Sequence, residues 1–182
     1  IPGFVPEDAR LMERLVATLP LAPESLVIFS RPVETPRLVS FHGDPGAAYG
    51  YSGRTFEPRP WGVELAALRE SLRERLGSTF HCVLVNHYRG GSDSMGWHAD
   101  DEPELGPDAP TDVLIASISL GAERRFLLRH RRRTQEKHEL SLGGGSLLVM
   151  GGATQRHYQH RLPPRARCTA PRINLTFRRM RG

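Results

Sequence analysis

Seven short runs in the second half of the chain constrain its fold more than anything else. Phe80–Tyr88, Val113–Leu120, Arg125–Arg131, His138–Leu142, Ser146–Met150, His157–Leu162 and Ile173–Arg178 are separated by turn-forming residues, and none carries a helical period. Short runs at this spacing predict strands of a β-sandwich or barrel. Gly143-Gly144-Gly145 predicts a turn between two of them; a phosphate loop is excluded because no helical pattern follows. The first half reads differently. Pro6 to Leu19 places Leu11, Leu15 and Leu19 at i, i+4 and i+8 and predicts an amphipathic helix. Pro60 to Leu76 predicts a second, with Val63, Leu65, Leu68, Leu72 and Leu76 on its buried stripe. Ser25–Phe29 and Arg37–Phe41 predict short strands, Ser30-Arg31-Pro32 a break, Asp44-Pro45-Gly46 a turn and residues 49–60 a loop. Helices first and strands last predict a single α+β unit with helices covering one sheet face.

A chain of 182 residues suits one domain with a sizeable core. No apolar run approaches the ~18–20 residues that a membrane span needs, so no membrane partner is expected. Two cysteines, Cys82 and Cys168, form no framework and suit a reducing intracellular compartment as structural thiols. Charge is segregated: residues 1–122 carry 10 basic and 17 acidic side chains, residues 123–182 carry 15 and 3. All the basic residues but Lys137 are Arg, whose planar fork binds phosphate or carboxylate through paired hydrogen bonds. The basic third therefore suits a polyanionic partner, or else an ordinary solvated surface.

One stretch suggests chemistry. In Trp97-His98-Ala99-Asp100-Asp101-Glu102, an extended backbone would point His98 and Asp100 to the same face, as two ligands for one cation. A second imidazole would complete the two-histidine, one-carboxylate set of non-haem Fe(II) oxygenases. The candidates are His42, His81, His87, His130, His138, His157 and His160; His157 and His160, three apart, cannot both face inward on a regular strand. The last run alternates strictly, with Arg172, Asn174, Thr176 and Arg178 on one face and Ile173, Leu175 and Phe177 on the other. Its polar face suits either solvent or an anion-binding wall beside a metal. Asn86 and Tyr88 share a face and can hydrogen-bond a carboxylate.

The ordered series Asn86-x-Tyr88, Trp97-His98-x-Asp100, His160-x-Leu162-Pro163 and Pro171-Arg172-x-Asn174-Leu175-Thr176-Phe177-Arg178 resembles the AlkB family of Fe(II)- and 2-oxoglutarate-dependent dioxygenases. Pro36-Arg37, Gly43-Asp44, Tyr51-Ser52-Gly53, Asp100-Asp101-Glu102 and Ile115-Ala116-Ser117 are similar to stretches of the family's mammalian member that repairs duplex DNA. The resemblance implies a double-stranded β-helix (a jelly-roll, cupin-like core) over 79–182, with supporting helices and a nucleotide-recognition lid in 1–78. It implies His98, Asp100 and His160 as catalytic iron ligands, and Asn86, Tyr88, Arg172, Asn174 and Arg178 as the 2-oxoglutarate site. Arg172 would pair with the distal carboxylate and Arg178 would lie near the metal. On the substrate side it implies Glu102 reading the damaged base, Tyr49 and Tyr51 flanking it, and Phe29 filling the gap in the duplex. Arg165 and Arg167 would touch the opposite backbone, although Ala166 between them is not basic. Phe29 also suits plain core packing, Asp101 a solvated carboxylate, and Arg129–Arg133 a solvated hairpin or a phosphate contact.

The implied activity is oxidative demethylation of N-alkylated bases such as 1-methyladenine and 3-methylcytosine in single-stranded or duplex DNA. It would consume Fe(II)-activated O2 and 2-oxoglutarate and release succinate, CO2 and formaldehyde. A stacked base must be flipped out to react, at a cost of a few kcal/mol. A related oxygenase acting on RNA or protein, and a non-enzymatic nucleic-acid-binding β-domain, are the competing expectations. A monomer is expected, in the cytoplasm of a bacterium or the nucleus of a eukaryote.

Overall fold

The computed structural model describes residues 1–28, 31–47, 49–51, 54–105 and 113–180. Its central strand is the last, β12 (Arg172–Arg178), paired on one side with β5 (Cys82–Tyr88) and on the other with β7 (Ile115–Gly121). The six-stranded sheet is completed by β1 (Ala22–Ile28) and β2 (Arg31–Gly43) beyond β5, and by β10 (Ser146–Met150) beyond β7. A second sheet runs β6 (Met95–His98), β11 (Tyr158–Leu162), β8 (Arg124–His130) and β9 (Lys137–Leu142). All these pairings are antiparallel. Two facing antiparallel sheets of this kind form the expected jelly-roll core.

The strict alternation of β12 sets the layers. Ile173, Leu175 and Phe177 are fully buried beneath α1 (Asp8–Thr18) and α2 (Val63–Leu76), with Leu11, Leu15, Leu65, Leu68, Leu72, Val83, Val85, Ala116 and Ile118. Trp61 stacks on Phe177 with ring centres 6.2 Å apart. Between the sheets lies a second apolar cluster that includes Phe41, Cys82, Ile115, Phe126, Leu142 and Met150. Helix α1 is pinned by Asp8, whose Oδ2 accepts the Gly121 N–H at 2.9 Å at the end of β7. Helix α2 stops at Gly77, whose φ of 65° only glycine adopts freely, and whose N–H closes on the Arg73 carbonyl.

Several boundaries differ from expectation. Val63 is 82% exposed, not part of the α2 stripe. At about 100° per residue it lies roughly 200° around the helix from Leu65 and cannot share its face. Arg31 and Pro32, expected within a break, open β2, which runs to Gly43, well beyond the expected Arg37–Phe41, because β1 and β5 pair with it on either side; Ser30 lies outside the described residues. The expected loop at 49–60 contains a small hairpin of β3 (Tyr49–Tyr51) and β4 (Arg54–Phe56), in a stretch whose Gly and Pro content masks a three-residue strand signal. Among the described residues no helix is long and apolar enough to cross a membrane.

Candidate metal and dicarboxylate site

Strand β6 ends at His98, and β11 pairs with it so that His160 lies directly opposite. Cross-strand partners point to the same side, and the two imidazole centres are 4.2 Å apart. Asp100 lies past the end of β6, so strand alternation is not what aims it. Its position is set by tertiary contacts. Its backbone N–H donates to Gln155 Oε1 at 3.0 Å, and Gln155 is itself fully buried in the short helix α3 (Thr154–His157) before β11. Its carboxylate receives Arg178 Nη2 at 2.5 Å and faces His160 Nε2 at 3.6 Å. The ligand atoms of His98, Asp100 and His160 lie within 4.8 Å of one another. Gln155 carried no sequence signal: a buried amide on a four-residue helix has no motif.

The electrostatics suit a cation. Burial alone would raise the Asp100 pKa, but Arg178, His160 and His98 outweigh it and keep the carboxyl ionised well below the usual range. Burial pushes His160 down to about 3, with the neighbouring His98 adding to the effect. Burial also lowers His98. Both rings are therefore neutral near pH 7, with a lone pair to offer. His98 Nδ1 lies 2.9 Å from the Gly96 carbonyl, which can only accept, so Nδ1 carries the proton and Nε2 is left as the donor to a metal.

Beside these three residues opens a cavity of about 510 Å³. The register of β12 against β5 pairs Arg172 with Tyr88 and Asn174 with Asn86, and all four line it. Arg172 is 2% exposed, and its Nη2 donates to Ser119 Oγ at 2.9 Å. Its Nε has no partner, and among the described residues no carboxylate pairs with it. Burial pulls its pKa down to about 10. A buried, unneutralised guanidinium facing a cavity is a fitting partner for a ligand carboxylate. Asn174 is bonded within the protein instead: its Nδ2 donates to Ser117 Oγ and the Ile118 carbonyl, and its Oδ1 accepts Thr176 Oγ1 at 3.0 Å. Asn86 Oδ1 accepts Arg37 Nε at 2.6 Å. Arg37, which has no site role in the sequence pattern, lines the cavity together with Val39 and Phe41, and their i, i+2, i+4 spacing on one strand face is the signal that could have placed it there.

The substrate-side residues are more scattered. Glu102 is half-buried before a 3-10 turn (Pro103–Leu105) and is not among the residues lining the cavity. Arg165 and Arg167 are exposed on the β11–β12 connection, where Arg165 Nη1 donates to the Glu123 carbonyl at 2.8 Å. Tyr49 and Tyr51 lie on β3, paired in register with Phe56 and Arg54. Phe29 lies outside the described residues. Asp101, expected to be solvated, forms an ion pair with Arg131. Arg129 packs over Trp97 at 4.3 Å, so the basic run is partly tied down.

The 2OG-Fe(II) oxygenase superfamily pattern matches residues 1–178. The chain belongs to this superfamily. Within it the chain is a member of the AlkB family. It is 44% identical over 160 residues to the mouse (Mus musculus) protein named DNA oxidative demethylase ALKBH2, covering 84% of this chain and 65% of that protein. It is 38% identical over 188 residues to the human (Homo sapiens) alpha-ketoglutarate-dependent dioxygenase alkB homolog 3, covering 97% of this chain and 64% of that protein. The chain thus spans somewhat less than two thirds of the length of either relative. The solved structure of OsALKBH1 shares the fold, with a TM-score of 0.66 at 18% identity over 98% of both chains. Superfamily membership implies Fe(II), 2-oxoglutarate and O2, and the donors here fit them: two neutral imidazoles, one ionised carboxylate and a buried guanidinium awaiting an anion.

Proposed function

We propose that this chain is a DNA repair dioxygenase that demethylates N-alkylated bases such as 1-methyladenine and 3-methylcytosine. The observation that carries the reading is the convergence of His98, Asp100 and His160 beside a cavity whose wall holds the unneutralised Arg172. His98 Nε2, an Asp100 oxygen and His160 would hold Fe(II), leaving positions open for ligands. When bound, the iron and 2-oxoglutarate would supply the oxidising chemistry, in which O2, the cosubstrate and the N-methyl group of the base give succinate, CO2 and a hydroxymethyl amine that releases formaldehyde.

The protein's own contribution is placement. Arg172 binds the distal carboxylate, and Asn86, Tyr88 and Asn174 shape the slot around the cosubstrate. Arg178 fixes the Asp100 carboxylate by charge and hydrogen bond. Leu84, Phe126, Met150 and Leu162 line the cavity with apolar surface and limit water near the metal. We assign Glu102, Tyr49, Tyr51 and Phe29 to the flipped base and the gap it leaves, and Arg165 and Arg167 to the DNA backbone. Residues 1–78 would provide helical support and the nucleotide-recognition lid, and 79–182 the catalytic core, acting as a monomer. The site of action would be the cytoplasm of a bacterium or the nucleus of a eukaryote.

The test is a substrate panel of methylated single-stranded DNA, duplex DNA and RNA, incubated with protein, Fe(II) and 2-oxoglutarate. Succinate and the repaired bases are read by mass spectrometry. Repair of DNA by the wild type and its loss to background in His98→Ala is the expected result. Absence of succinate with every substrate, or an unchanged His98→Ala, overturns the proposal. Repair confined to RNA moves the activity to the other nucleic acid.

A further inference from the structure

Tyr88 has two guanidiniums over its ring. Arg172 Cζ lies 5.4 Å from the ring centre and Arg124 Cζ 5.9 Å from it. Arg124 opens β8 on the opposite sheet and is 1% exposed. Its Nη1 donates to the Gly90 carbonyl at 3.1 Å, and its Nη2 to the carbonyls of Asp93 at 2.9 Å and Pro163 at 2.8 Å. These carbonyls belong to the β5–β6 and β11–β12 connections, which also bond to each other directly: Gly91 N to the Cys168 carbonyl and Arg165 N to the Gly91 carbonyl. A Cβ on Gly91 would lie 1.8 Å from the Arg165 carbonyl oxygen, so only glycine allows the two connections to meet this closely.

Joining loops requires hydrogen-bond donors, but not a buried full charge. Among the described residues no carboxylate neutralises Arg124, and its Nε is without a partner. The nearby Asp93 carboxylate is engaged by Arg89 at 2.8 Å instead. After burial, repulsion from Arg124 is among the causes that lower the Arg172 pKa. Arg172 lines the cavity and Arg124, which does not, lies against the Tyr88 ring that does; two buried cations so close to one wall favour a ligand bearing a full negative charge there.

We propose that Arg124 is a positioning residue for the dicarboxylate cosubstrate, fixing the Tyr88 ring and adding a second positive charge to the end of the cavity that receives the distal carboxylate. This rests on reading the cavity as the 2-oxoglutarate site. The test is calorimetric binding without turnover, with Mn(II) in place of Fe(II). It compares 2-oxoglutarate with 2-oxopentanoate, which has the same chain length but no distal carboxylate. Arg124→Gln is expected to weaken 2-oxoglutarate binding about tenfold and 2-oxopentanoate binding much less, while Arg124→Lys keeps most of the preference for the dianion. Equal weakening of both ligands, or a lysine variant no better than the glutamine one, overturns the inference and leaves Arg124 a loop clamp. Should Arg124→Gln not fold, Arg124→Lys decides alone: a charge role keeps the 2-oxoglutarate affinity near that of the wild type, and a clamp role weakens both ligands alike. A wild type with no preference for the dianion removes the cosubstrate reading itself. A wild-type preference that the variants leave unchanged overturns the Arg124 inference alone.

Discussion

The two faces of the six-stranded sheet are both buried, yet they are built on opposite principles. Toward the helices, β12 presents Ile173, Leu175 and Phe177, all fully buried among leucines and valines. Toward the second sheet the same strand presents Arg172, Thr176 and Arg178, none more than 7% exposed. The first face is stabilised by the removal of apolar surface from water, so every methyl group counts. The second holds charged groups out of water, among them Arg172, which no carboxylate among the described residues neutralises, and this costs stability until an anion arrives. Burial therefore does not separate scaffold from site in this molecule. What separates them is whether the buried groups are already satisfied.

Leu175→Ala should mark the helix-backed face with the largest loss of stability, about 2–5 kcal/mol and roughly 5–15 °C in Tm. Metal affinity of the folded fraction should be unaltered. A thermal melt alongside Mn(II) binding checks this, and a large drop in metal affinity would mean the two faces are coupled. Arg172→Ala should do the reverse, weakening 2-oxoglutarate binding about thirtyfold or more while leaving Tm unchanged or higher, because a desolvated cation has been removed. A fall in Tm comparable to that of Leu175→Ala would break the contrast. Gln155→Leu should be intermediate. Loss of the acceptor for the Asp100 N–H should weaken Mn(II) binding roughly tenfold, measured by electron paramagnetic resonance, with only a modest shift in Tm. Metal affinity equal to wild type would show that Arg178 alone positions Asp100.

The helix-backed face was easy to read in the sequence because it is periodic. Leu65, Leu68 and Leu72 declare a stripe, and Ile173, Leu175 and Phe177 declare a strand face, since both patterns follow from local backbone geometry. Val63 is apolar but sits at the wrong helical angle for the stripe, and apolar character alone does not report angle. The seven strands expected from 79 onward lie within a few residues of their expected bounds, whereas β6 is not among those seven runs, and β3 and β4 are hidden by the turn-forming residues around them. On the cavity face, chemistry was legible but location was not. Alternation put Arg172, Asn174, Thr176 and Arg178 on one side of a strand, and could not say whether that side met solvent or a second sheet. Glu102 follows Asp100 closely in the chain, yet it does not line the cavity.

The sequence by itself determined which residues alternate, where helices give way to strands, and which side chains could ligate a cation or grip an anion, because these depend on residue type and short-range geometry. It could also carry a family resemblance through the ordered series from Asn86 to Arg178. Only the tertiary structure decided how the site is held. His160 meets His98 through a β6–β11 pairing across 62 residues of chain. Asp100, beyond the end of its strand, is fixed by Gln155 and Arg178 from distant elements. Arg124 reaches Tyr88 from the other sheet. Each of these contacts joins segments whose separation in the chain leaves no local pattern, so long-range packing alone supplies them.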